Sequence, residues 1–108
     1  MAKFIQERVA RVPMQGARAT GGVVHLTLAG AHSISLSSAQ FQAIDPDGSH
    51  RDIAIVPASS APNAWFYIRN TGGAGGNLLV KDGAATVATI PNGIAAFVIS
   101  DGTNWLAA

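Results

Sequence analysis

The sequence predicts an all-β protein: a single antiparallel domain, β-sandwich or jelly-roll-like, of about eight short strands behind an extended N-terminal arm. Three observations predict it. From residue 23 onward, apolar runs of strand length alternate with clusters of Gly, Asn, Asp and Pro. Within several runs apolar and polar residues alternate, the period of a half-buried strand. Near the end, Asp101-Gly102 marks a tight hairpin. The boundaries that follow are an arm over residues 1–22 and a β-domain over residues 23–108.

Elements follow in chain order. In the arm, Phe4, Ile5, Val9 and Val12 would share one side of a short helix, which Pro13 limits. Turn formers and small residues then run to Gly22. The first strand is VVHLTL, with Val24, Leu26 and Leu28 alternating with His25 and Thr27. HSISLS sets Ile34 and Leu36 against serines, and AQFQAI sets Phe41 and Ala43 against Gln40 and Gln42, with a helical turn as the alternative for that segment. Asp45-Pro46-Asp47-Gly48 has the residues of a type I turn. It predicts a hairpin to RDIAIVP across a loop of Asp45 to His50. Four further segments follow: Trp65–Arg69, Asn77–Lys81, Thr86–Ile90, and the pair Ile94–Ser100 and Thr103–Leu106 joined tightly at Asp101-Gly102. The strand count suits a sandwich, jelly roll or small barrel. No fixed-period repeat is present.

Composition narrows the function. The chain has 108 residues, 48% hydrophobic and only 12% charged, against about 25% charged in an average soluble protein. A small domain with so few charges must leave apolar or neutral surface outside, which favours self-association or a partner. Without cysteine, disulfides, thiolate metal sites and cysteine nucleophiles are excluded. No apolar run reaches the roughly 20 residues of a membrane-spanning helix. The first residues lack the apolar core of a secretion signal, so the expectation is synthesis and assembly in a cytoplasm. The first twenty residues hold Lys3, Arg8, Arg11 and Arg18 against Glu7 alone, and the rest of the chain is slightly acidic.

Motifs of chemistry are sparse. His25, His32 and His50 lack the spacing of a metal site, and no metal or cofactor is expected. Gly72-Gly73-Ala74-Gly75-Gly76 is followed by the strand residues Asn77-Leu78-Leu79-Val80 rather than Lys-Ser/Thr and a helix. A turn or a close backbone approach at a symmetry axis is therefore expected, not a phosphate loop. There is no G-x-S-x-G elbow, and the sole glutamate lies in the arm, so no enzyme is expected. Trp65, Tyr67, Phe97 and Trp105 are assigned to the core or an oligomer interface, with sugar stacking as the competing role for Trp65, Tyr67 and Trp105. Trp65 and Tyr67 share one face of their strand, Phe66 and Ile68 the other. Lys3, Phe4, Ile5, Arg8, Val9, Arg11 and Val12 make a basic and apolar docking arm, too sparse in charge and aromatics for nucleic acid.

The last 45 or so residues resemble a pattern found in small bacteriophage virion proteins. An aromatic strand ends in Ile68-Arg69-Asn70, a Gly-rich loop leads to Asn77-Leu78-Leu79-Val80-Lys81-Asp82-Gly83, Pro91-Asn92-Gly93 precedes an apolar strand, and Asp101-Gly102-Thr103-Asn104-Trp105 closes the chain. The resemblance implies a non-enzymatic head decoration, or cement, protein on the outer surface of the virion. It implies a trimer gripping the major capsid protein through its arm. A receptor- or carbohydrate-binding module of a tail or fibre is the alternative within the same class.

Overall fold

The computed structural model describes residues 21–108, and all nine strands belong to two packed sheets. They are β1 (Val23–Thr27), β2 (His32–Ile34), β3 (Phe41–Asp45), β4 (Arg51–Ile55), β5 (Trp65–Asn70), β6 (Leu78–Asp82), β7 (Ala85–Ile90), β8 (Ala95–Ser100) and β9 (Trp105–Ala107). A single turn of 3₁₀-helix, Ala58–Ser60, follows β4. The five-stranded sheet has the order β1-β3-β5-β8-β9 and the four-stranded sheet β2-β4-β6-β7. The all-β, two-sheet architecture is as the sequence predicts. The docking residues Lys3, Phe4, Ile5, Arg8, Val9, Arg11 and Val12 lie outside the described residues.

The pairing differs from expectation. Four of the seven strand pairs are parallel: β1 with β3, β3 with β5, β2 with β4, and β4 with β6. The chain steps from one sheet to the other after every strand from β1 to β5, so it winds three times around the core as a coil of stacked rungs. The last three strands reverse it: β7 pairs antiparallel with β6, β8 with β5, and β9 with β8. The expected hairpin across Asp45–His50 is therefore absent. That turn carries the chain out of one layer and into the other. Its backbone is also not type I, because Asp47 and Gly48 both have positive φ, 57° and 83°. The Asp45 carboxylate holds the bend, accepting the Asp47 N–H at 2.8 Å.

The Gly-rich segment packs against this same turn. A Cβ on Gly72 would lie 2.8 Å from Pro46 Cδ, and one on Gly76 would collide with the Ser49 carbonyl. The close backbone approach expected at a symmetry axis is thus an intramolecular one, where the turn of one rung stacks on the turn of the next. Asn77 N–H reinforces it by donating to His50 Nδ1 at 2.9 Å.

Between the sheets lie Ile34, Ile44, Ile53, Phe66, Ile68, Leu78, Val80, Ile90, Val98 and Trp105, all buried. β-branched residues dominate, as suits strands facing a tightly packed layer. Three buried polar side chains are each satisfied. Gln42 donates to the Ala39 carbonyl at 2.8 Å, and Ser100 Oγ donates to the Ala58 carbonyl at 2.9 Å. Asn70 donates to the carbonyls of Gly76 and Ile90 and accepts from Gly72 N–H, each at 2.9 Å.

Candidate interaction surface

Strand alternation sends half of each strand's side chains away from the core. In the four-stranded sheet this outer face is polar. It carries Ser33, Asp52, Ala54, Leu79, Lys81, Thr86 and Thr89 by register, with one ion pair, Lys81 to Asp52, at 3.5 Å. Such an exposed pair contributes about 0–1 kcal/mol and marks a solvated surface.

The outer face of the five-stranded sheet is of the opposite kind. One row across it, from register, is Val23, Phe41, Tyr67 and Phe97. The adjoining row is Trp65, Ile99 and Leu106. The next on the other side is His25, Ala43, Arg69 and Ala95. Phe41 and Tyr67 pack with ring centroids 4.8 Å apart, and Trp65 and Phe97 meet diagonally at 5.6 Å. These tilted contacts hold the rings in a layer. The four rings are half-buried by one another, while Val23 is 51% and Leu106 50% exposed at the two borders. Arg69 is exposed and forms no ion pair among the described residues. Beside Trp65 the face continues into a shallow cleft of about 200 Å³ lined by Leu36, Ser38, Gln40, Ala64, Trp65 and Phe66.

Comparison with protein-family models, curated proteins and solved structures finds no match.

The surface must therefore be read on its own chemistry. Of the four aromatics grouped in the sequence, Trp65, Tyr67 and Phe97 lie together on this face. Trp105 does not: it is 8% exposed, packs its ring 6.0 Å from Phe66, and donates its indole N–H to the Val56 carbonyl at 2.8 Å. It belongs to the core. Sequence reasoning missed Val23, Phe41, Ile99 and Leu106 as members of the face. For Phe41 the reason is an inversion. In AQFQAI the polar Gln42 turns inward, its amide satisfied by Ala39 and the His32 ring (3.3 Å), so the phenylalanine turns outward. The signal was present in Ile44, an unambiguous core residue two positions from Gln42.

Among the described residues, no group of three or more His, Asp or Glu is placed to hold a metal ion, and no helix is long and apolar enough to cross a membrane. The Asp101 carboxyl has a structural role. Asp101 Oδ1 accepts the N–H groups of Asn104 at 2.7 Å and Thr103 at 2.8 Å, and these bonds hold its pKa below the ordinary 3.8. It shapes the β8–β9 turn.

Proposed function

We propose that this chain is a non-enzymatic structural protein of a bacteriophage virion, a head decoration or cement protein that self-associates and binds the assembled capsid. The observation that carries the reading is the contrast between the two outer faces: one polar and ion-paired, the other a layer of Phe41, Trp65, Tyr67 and Phe97 edged by Val23 and Leu106. An apolar band that crosses a whole sheet is a surface suited to assembly. The resemblance of the segment from Ile68 to Trp105 to phage virion proteins supplies the setting, and the basic, apolar arm supplies a means of attachment. The mechanism is mechanical. A protein that binds the closed shell and not its separated subunits stabilises the shell by mass action.

Co-sedimentation with capsids lacking the protein tests this. The full chain is expected to bind saturably and to raise the temperature at which the shells rupture. A variant lacking residues 1–20 is expected to remain in the supernatant. Full occupancy by that variant would remove the arm's role, and absence of binding by the full chain would end the decoration reading. The cleft beside Trp65 favours the second reading, a carbohydrate- or receptor-binding module of a tail or fibre, in which half-exposed Trp65 and Tyr67 stack on sugar rings. Glycan binding lost in Trp65→Ala, together with no affinity for shells, would select it.

A further inference from the structure

We infer that the outer face of the five-stranded sheet packs against two further copies of this chain, the three sheets closing as a triangular prism about a threefold axis. The inference rests on the self-association reading above and names its surface and geometry.

Size argues first. Five strands about 4.8 Å apart and about five residues long make a face of roughly 24 by 17 Å, about 400 Å². Two such faces laid together supply about half of the roughly 800 Å² per partner of a standard interface. A flat pair is therefore undersized, and more surface must be recruited.

The borders of the face supply it. Among the described residues, β1 and β9 are its two edge strands. Edge strands are ordinarily protected by Lys, Pro or charge. β1 reads Val-Val-His-Leu-Thr and β9 Trp-Leu-Ala, with none of these. Each carries one of the face's two most exposed apolar side chains, Val23 and Leu106. The pairings also make β1 and β9 run in the same direction. Rotation about an axis along the strands preserves that direction, so β1 of one copy meets β9 of the next at each corner. The contact is heterologous and closes after three copies, which seals both edges.

The ring layer fits the resulting interior, and exposed Arg69, one row along from Tyr67 near the end of β5, lies toward the open end of the prism, where its charge keeps water. Sheets bearing aliphatic side chains pack about 10 Å apart, about 5 Å for each side. Three faces about 24 Å wide stand about 7 Å from their common axis, which calls for longer side chains at the centre. Phe41, Tyr67 and Phe97 occupy that place, in one row on β3, β5 and β8, the three central strands.

Native mass spectrometry and light scattering at micromolar concentration test the inference. The wild-type chain is expected as three copies. Val23→Asp at the corner and Phe97→Glu at the centre are each expected to lower the mass threefold. Thr89→Glu on the polar face is expected to leave it unchanged, with far-UV circular dichroism showing all of them folded. If Phe97→Glu does not fold, Val23→Asp and Leu106→Asp at the half-exposed borders decide. A wild-type pair would overturn the threefold closure. Three copies retained by both border variants would overturn this surface while leaving self-association standing. A single wild-type copy would overturn both, and capsid co-sedimentation would still judge shell binding independently.

Discussion

Asn70 fixes the fold where two of its loops meet, through three side-chain hydrogen bonds. It is fully buried at the end of β5, and its amide ties three backbone groups from two loops, Gly72 and Gly76 in one and Ile90 before the other. Its own backbone also pairs with the Pro91–Ile94 turn, through Ile94 O at 2.9 Å and Gly93 N–H at 3.0 Å. Asn70→Ala leaves two carbonyls and an N–H short of partners inside the protein. Each unsatisfied buried group costs about 1–3 kcal/mol, so a loss of at least about 2 kcal/mol is expected in urea denaturation. Asn70→Asp is expected to be no better, because the oxygen that replaces Nδ2 would face the Gly76 and Ile90 carbonyls. Asp101 gives a residue-scale expectation in pH. Its carboxyl is held below 3.8 in the folded chain by Asn104 and Thr103, so the unfolded chain takes up the proton first. The stabilisation is complete above about 3.8 and is lost as pH falls through the lower folded value. Asp101→Asn keeps an acceptor for the turn but does not titrate. Unfolding midpoints of wild type and Asp101→Asn between pH 6 and 2 are expected to converge or cross below about pH 4. Parallel curves throughout would show that the turn draws nothing from the ionised form.

At the scale of elements, the stacked turns are where the coil is most constrained. Gly76 has φ of 94° and would drive a Cβ into the Ser49 carbonyl, whereas Gly73 has open space around it and no positive φ. Gly76→Ala combines left-handed backbone strain of about 1–2 kcal/mol with a clash against main chain, which has no rotamer to escape through. Thermal melts are expected to show a large loss for Gly76→Ala and a change within about 0.5 kcal/mol for Gly73→Ala. Equal effects would show that the loop shifts freely. These turns also mark what could be read in the sequence. Strand positions were legible because apolar alternation and turn residues are local signals, and Asp101-Gly102 did mark the β8–β9 hairpin. Strand partners were not. A strand followed by Asp-Pro-Asp-Gly reads the same whether the chain turns back beside itself or crosses to the facing sheet. The rungs also conceal their repetition, because their spacing is unequal: Val23 pairs with Phe41, 18 residues on, and Phe41 with Tyr67, 26 residues on. The surface was half legible. Trp65 and Tyr67 announced a two-sided apolar strand, but Phe41 was hidden by the inward turn of Gln42.

For the whole molecule, apolar side chains sit on both sides of one sheet and on one side of the other. The five-stranded sheet covers the core with Ile44, Phe66, Ile68 and Val98 and presents Phe41, Tyr67 and Phe97 outward. The four-stranded sheet turns Asp52, Lys81 and Thr89 to water. The β-domain, residues 23–108, is expected to keep its fold when residues 1–20 are removed, since fifteen buried apolar side chains between Leu28 and Trp105 already form a connected core among the described residues. A cooperative melt of the shortened chain within a few degrees of the full one would bear this out, and a molten shortened chain would make the arm part of the fold. The two tryptophans fall on either side of that five-stranded sheet, Trp105 inside and Trp65 outside. They make the protein its own pair of fluorescent probes. In Trp65→Phe the remaining indole reports only loss of the core, so its emission responds to denaturant and not to dilution. In Trp105→Phe the remaining indole reports the outer face, so its emission is expected to redden on dilution, before the fold is lost. Dissociation and unfolding, superimposed in almost any other observable, separate here into two colours.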